Sequence, residues 1–382
     1  KPHRVRPLWI HAVSVGETLA IVPLVKLIQE RHPNLPIVMT TMTPTGAERV
    51  EAIFADSVTH YYCPYDLPCA LQRFFHKVNP MGCVIVETEL WPNLVNACSN
   101  SSVPLLVANA RLSARSAKGY ARFSKMAEQM LRQIDLIAVQ NDADAQRFLQ
   151  LGFPESSMQV TGSIKFDVVV PEGAERLAVA LRELWGEKRP VLIGASTHEG
   201  EETILLNLYQ QLLDRFPELL LVLVPRHPER FTPVAEQIKL LGLKCARRSL
   251  GQQPNESTQV YLGDTMGELI KLLAAADIAF VGGSLIERGG HNPLEPALLK
   301  KPVVMGPHFF NFQQICDALQ GAGGLSVVNS ENELHQQFEA LLLDKQSAEQ
   351  QGVAGFEFVK QNQGALEKLY ALTVDTCLKQ QP

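Results

Sequence analysis

The sequence predicts an α/β protein made of two doubly wound domains. Three observations lead there. The chain has 382 residues, more than one hydrophobic core usually supports, and ~150 residues per domain points to two. Short apolar runs alternate with helix-like amphipathic segments throughout. The runs are continuous in Val, Ile and Leu, as suits strands buried on both faces of a parallel sheet.

In the first half the predicted strands are LWIHAVS, PIVMTTMT, VTHYYC, GCVIVE, PLLVANA and LIAVQ, each followed by a predicted helix. The first strand runs from Leu8 to Ser14, and its helix starts near Gly16 or Glu17. TGSIKFD closes the last strand of this domain. A charged, helix-like segment from Val168 to Arg189 precedes a second alternation, so the domains divide at 1–166 and 167–382. VLIGAS, LLLVLVP, QVYLGD, IAFVGGS and PVVMG are the second set of strands, with helices such as Glu201 to Phe216 between them. The last helix, Ala365 to Lys379, follows every strand and is the element free to pack back across the domain junction. In open α/β sheets ligands bind beyond the carboxyl ends of the strands, so two sheets facing an interdomain cleft would share one site.

Composition narrows the class. A hydrophobic fraction of 46% with 20% charged residues excludes a disordered or fibrous chain. Seven cysteines, an odd number with no C-x-x-C pair, read as reduced buried thiols rather than a disulfide framework or zinc site. No run approaches the ~20 apolar residues of a bilayer span. The chain opens on Lys1, His3, Arg4 and Arg6 without an initiator Met, and a preceding membrane anchor is expected. Of 35 Lys+Arg and 40 Asp+Glu, residues up to 160 hold 15 and 13, leaving 20 and 27 afterwards. The more basic first half contains Arg111, Arg115, Lys118, Arg122, Lys125 and Arg132, a helix-spaced set. Such a set suits anionic lipid or a phosphorylated substrate, or is a solvated helix face.

Candidate chemistry lies just after the strands. Glu17 sits at a helix N-terminus, where a carboxylate serves as a general base on a hydroxyl or simply caps the helix. Glu87 ends GCVIVE and Glu89 follows two residues on, leading into TELWPN. Two acids at a buried strand end are costly unless hydrogen-bonded or working on a ligand, and capping of the next helix is the other reading. Lys165 in GSIKFD is a cleft cation or a surface residue. In the second half Pro225 fixes a turn that presents Arg226, a candidate clamp for phosphate or carboxylate, beside the weaker candidate His227. Met266, Gly267 and Glu268 open a helix whose free amides suit an anion. In GGSLIERGGHNPLEP two Gly-Gly pairs, Asn292, Pro293, Leu294 and Glu295 read as a flexible phosphate-and-ribose cradle, with Glu295 placed for vicinal ribose hydroxyls.

No G-x-G-x-x-G follows the first strand, and neither G-x-x-x-x-G-K-[ST] nor G-x-S-x-G occurs, which argues against a dehydrogenase, a P-loop enzyme and an α/β-hydrolase. Asp142-Ala143-Asp144 spells the D-x-D of metal-dependent sugar transferases. It opens a helix, where first-turn acids are ordinary, so no metal site is assigned.

VSVGE, ETELWPN, GSIKFD, PRHPER and GGSLIERGGHNPLEP together resemble, in order and spacing along essentially the whole chain, the 3-deoxy-D-manno-octulosonic acid (Kdo) transferases of Gram-negative bacteria. The resemblance implies two Rossmann-like domains of the GT-B type and an inverting transfer of Kdo from CMP-Kdo to a lipid A precursor. It further implies the cytoplasmic face of the inner membrane and an anionic membrane surface as partner, with no cofactor and no nucleic acid. Glu17 is then the proton acceptor, and Glu87 and Lys165 stabilise the transition state. Pro225, Arg226, Met266, Gly267, Glu268, Asn292, Pro293, Leu294 and Glu295 are the positions for CMP. The competing readings are a UDP-sugar transferase or UDP-sugar 2-epimerase of the same fold, separable by nucleotide preference, and an inert nucleotide-sugar sensor.

Overall fold

A computed structural model describes residues 5–379; the basic Lys1, His3 and Arg4 lie outside the described residues. Its contacts divide the chain into two units, one of residues up to Asp167 together with those from Asn362 onward, the other of Val168–Gln361. The helix Ala365–Thr373 and the π-helical turn Val374–Leu378 therefore belong to the first unit, although they follow every strand of the second.

The first unit is one seven-stranded sheet of β1 (Leu8–His11), β2 (Ile37–Thr41), β3 (Thr59–Tyr62), β4 (Gly82–Val86), β5 (Leu105–Ala110), β6 (Leu136–Val139) and β7 (Met158–Val160). Its order is β3-β2-β1-β4-β5-β6-β7, with every pairing parallel. The order reverses between β1 and β4. The central strands are buried at every position, since helices cover both faces. Three of those helices start on proline, at Pro44, Pro68 and Pro92, where the missing N–H costs nothing. The chain end is built in: Asp167 accepts hydrogen bonds from the amides of Gly364 and Leu366 at 2.7 Å each, capping the terminal helix. Cys377 is buried against Gly82, where a Cβ would lie 2.5 Å from the cysteine's own.

The second unit holds β8 (Val191–Thr197), β9 (Leu220–Pro225), β10 (Cys245–Arg247), β11 (Val260–Leu262), β12 (Ile278–Val281), β13 (Val303–Met305) and β14 (Leu325–Val327). The order is β10-β11-β9-β8-β12-β13-β14, again wholly parallel, and it reverses between β8 and β12. Layers of Leu, Val and Phe pack on both faces, among them Leu205, Leu221, Phe280 and Phe338 on one and Trp185, Val222 and Tyr261 on the other.

Several boundaries differ from the sequence reading. The first strand ends at His11, not Ser14, because Ser14 is already the N-cap of the helix Val15–Arg31. Lys165 lies in a 3₁₀ turn, Ile164–Phe166, beyond the end of β7. The basic cluster is not one helix: Ala114–Ala121 and Ser124–Leu131 are separate, broken at Arg122 and Phe123. Within it Arg111 pairs with Glu87 and Arg132 with Glu128, so its charges are not all free. All seven cysteines are free thiols, five of them buried.

Candidate functional site

In the first unit the candidate residues cluster at the carboxyl ends of β1, β4 and β5, on either side of the reversal point. Ser14-Val15-Gly16-Glu17 forms a capping box: the Ser14 hydroxyl accepts from the Glu17 amide and donates to its carboxylate at 2.7 Å. The second carboxylate oxygen accepts from the Val13 amide at 2.7 Å. Capping is thus a real role for Glu17, and it fixes the rotamer. Burial lifts the Glu17 carboxyl above its ordinary value against the pull of these two bonds, and the charges of Glu89 and Glu87 add to the rise. A carboxylate with a raised pKa and unfilled lone pairs is suited to accept a proton.

Glu87 follows β4 in the left-handed region, φ 59°, a conformation that costs an ordinary residue about 1–2 kcal/mol. Strain of this kind persists where the surroundings over-determine it. Here the Glu87 amide donates to Ala108, and the carboxylate is held by Arg111 at 2.8 Å. Glu89 accepts from the Trp91 indole at 3.1 Å. Asn109, at the end of β5, also has a positive φ of 53°, and its side-chain oxygen accepts from the amide of Ile164 at 3.3 Å. That bond ties the Lys165 turn to the β5 terminus and leaves the Lys165 side chain half-buried.

In the second unit the carboxyl ends of β8, β9 and β12 converge. Pro225 ends β9, and the Arg226 amide donates to Thr197 at 2.9 Å, aiming an exposed guanidinium that has no ion pair among the described residues. Asn292 makes an Asx turn onto the Leu294 amide, and Pro293 caps the short helix Leu294–Leu298. The Glu295 carboxyl is raised above its usual range by burial, opposed by Asn292 and the positive charge of Arg226. Met266, Gly267 and Glu268 follow β11. The Glu268 side chain is committed to Arg248 and Thr265, which hold its carboxyl down to about 2, so the backbone and the exposed Met266 are what this stretch presents.

The glycine-rich cradle expected to be flexible is instead pinned. The fully buried carboxylate of Glu201 accepts from the amides of Gly283 at 2.7 Å, Ser284 and Leu285 at 3.0 Å, and His198 at 3.0 Å. A Cβ on Gly282 would lie 2.5 Å from the Ser196 carbonyl oxygen, so only glycine passes there. These amides are spent on Glu201 and are closed to an anion. Arg226 remains available to an anion in this region, and the exposed Arg288 also acts on His198.

His198 and His291 meet Nε2 to Nε2 at 2.8 Å with ring planes 4° apart, the coplanar arrangement of an N–H···N bond in which both rings are neutral. Burial, with Arg226 and His227 nearby, holds each at about 4. Sequence reasoning missed Glu201, His198 and His291 as site residues. The signal was present in STHEGEE, acids directly after a buried strand, the same cue that marked Glu87 and Glu89. Asp144, by contrast, is committed in the first turn of its helix: its carboxylate accepts from the side chain of the N-cap Asn141 and pairs with Arg147 at 2.7 Å. Among the described residues no cluster of three metal-ligating side chains occurs, and no helix is long and apolar enough to cross a membrane.

Two parallel doubly wound units, each with polar side chains gathered where its strand order reverses, make the GT-B fold. UDP-GlcNAc 2-epimerase from Neisseria meningitidis has this fold, with a TM-score of 0.57 over 98% of this chain and 100% of that one at 13% identity. The sequence profile of the family described as 3-Deoxy-D-manno-octulosonic-acid transferase (kdotransferase) matches residues 1–168. The 3-deoxy-D-manno-octulosonic acid transferase of Haemophilus influenzae is 48% identical over 366 residues, 96% of this chain and 86% of that protein. That of Bordetella pertussis is 38% identical over 84% of this chain and 76% of its own. The chain belongs to the Kdo transferase family and is a glycosyltransferase.

Proposed function

We propose that the protein transfers Kdo from CMP-Kdo, with inversion, to a sugar hydroxyl of a lipid A precursor at the cytoplasmic face of the inner membrane. The observation that carries this reading is the buried Glu17 carboxylate, fixed by its capping box and raised in pKa, beside the Glu87–Arg111 pair. The acceptor hydroxyl attacks the anomeric carbon as its proton passes to Glu17. The bond from that carbon to the phosphate oxygen breaks, and CMP leaves with the electron pair. Arg226 stabilises the phosphate charge, which is why the reaction is proposed to need no metal. Glu87 and Lys165 act on the charge that develops on the sugar, Lys165 facing the Kdo carboxylate. Pro225, the backbone of Met266, Gly267 and Glu268, and Asn292, Pro293, Leu294 and Glu295 hold CMP. Glu295 is the acceptor for the ribose hydroxyls, its rotamer set by Asn292.

The basic side chains of the first unit would meet an anionic membrane surface or the acceptor's phosphates. The test is incubation with CMP-Kdo and a tetra-acylated, phosphorylated glucosamine disaccharide, with mass spectrometry of the lipid product. A Kdo adduct with release of CMP is expected. Turnover of UDP-sugars in its place would overturn the reading.

A further inference from the structure

An apolar groove with a volume of about 400 Å³ opens on the first unit between the helices Pro92–Asn100, Ala114–Ala121 and Ser124–Leu131. Pro92, Tyr120, Phe123, Met126 and Met130 form its walls. Phe123 is 65% exposed and Met126 56%, an unusual amount of apolar surface for two neighbouring side chains to leave in water. Arg115, Lys118, Arg122 and Lys125 stand on the same two helices or the turn joining them, exposed and without ion pairs among the described residues. A surface that carries both an apolar slot and unpaired cations on the same helices is complementary to an anionic amphiphile.

We propose that this groove seats one acyl chain of the acceptor lipid, an inference that rests on the transfer reading above. Continuity with the candidate site selects the acceptor over bulk membrane lipid. Pro92 directly follows Trp91, whose indole holds Glu89. Glu89 also acts electrostatically on the Tyr120 phenol of the groove wall, and Glu89 and Glu87 act on Glu17. A chain in the groove thus tethers its sugar head beside the carboxylates, and the volume lies within the ordinary range of ligand pockets.

Gly119 lines the groove, and a Cβ there meets nothing within 4 Å. Gly119→Leu therefore enters the groove through open space at its Cβ and replaces a poor helix former with a good one, so the variant should melt no lower than the parent. Calorimetry with monomeric dodecyl phosphate should show binding to the parent and roughly tenfold weaker binding to the variant, the worth of about two displaced methylene groups. In detergent, the ratio of kcat/KM for the acylated acceptor over its deacylated disaccharide should fall by a similar factor. Met126→Gln, which makes one wall polar, should move both readouts the same way by less.

Equal dodecyl phosphate binding by parent and Gly119→Leu would overturn the proposal. So would a variant that loses flotation with anionic phospholipid vesicles while the kcat/KM ratio stays unchanged, since the patch would then serve the bilayer. Dodecyl phosphate binding that Gly119→Leu abolishes, in a parent that transfers nothing to either acceptor, would refute the transfer reading and leave the acyl site standing.

Discussion

Glu201→Gln is the most demanding test of how the second unit is held together. Each carboxylate oxygen of Glu201 accepts two backbone amides, Ser284 and Leu285 on one, Gly283 and His198 on the other. Whichever way the amide of Gln is turned, its NH₂ faces two N–H donors. Two charge-assisted bonds at about 1.5–3 kcal/mol each are lost. Burial of the charge, which lifts the Glu201 carboxyl against the four amides, is relieved in the neutral variant and offsets part of this. A net loss of about 3 kcal/mol remains, the lower end of what breaking a buried charge network costs. For a unit of this size that lowers the melting temperature by roughly 6–12 °C. Calorimetry of Glu201→Gln beside Glu202→Gln gives the comparison. Glu202 is equally buried but has a 3.3 Å bond to Thr197, a 3.5 Å approach from Arg230 and one oxygen without a hydrogen-bond partner, so its loss is worth about 1 kcal/mol. A fall below about 2 °C for Glu201→Gln, or equal falls for both, would refute the claim that this carboxylate organises the loop.

Glu17→Gln should lower turnover by ~10²–10⁴-fold. Because Glu17 also closes a capping box, this variant should lose about 0.5–2 kcal/mol of stability while CMP binding persists; near-normal turnover would remove Glu17 as the base. CMP should raise the melting temperature more than UMP or UDP at equal concentration, by mass action on the folded state, and a larger shift with UDP would favour a UDP-sugar enzyme. Activity should survive EDTA; loss restored by magnesium or manganese would mean that a metal shares the role given to Arg226. His198, His291 and His11 are each depressed to about 4, so the stability they contribute is full above the ordinary histidine value. It is lost as the pH falls from about 6.5 towards 4, where the unfolded chain takes up protons that the folded one refuses. Replacing His198 and His291 together with Gln should flatten the melting temperature over that range, and an unchanged slope would show that other groups set the acid limit.

The parallel sheets were legible because buried strands write themselves as continuous Val, Ile and Leu runs; the sequence shows Glu17 at the helix start but places Ser14 in the strand, so the Ser14–Glu17 capping box emerges only in the structure. The edge strands β10 and β14 are not visible in the sequence because each is three residues long and mixes polar with apolar side chains, whereas β11 and β13, equally short, lie within apolar runs. Nor did the basic stretch from Arg111 to Arg132 announce its break at Arg122 and Phe123, since no proline marks it and Gly119 lies inside the first helix. The candidate site positions were also readable as types: acids and an arginine just past strand ends are expensive in sequence unless used. Which partner each one takes was not readable. Glu201 meets Gly283, Ser284 and Leu285, and His198 meets His291, across more than 80 residues, because the strand order places β12 directly beside β8. Local sequence specifies how a segment is patterned and capped. Only the topology of the sheet decides which strand ends become neighbours, and so which loop is free to meet a ligand and which has its amides already filled.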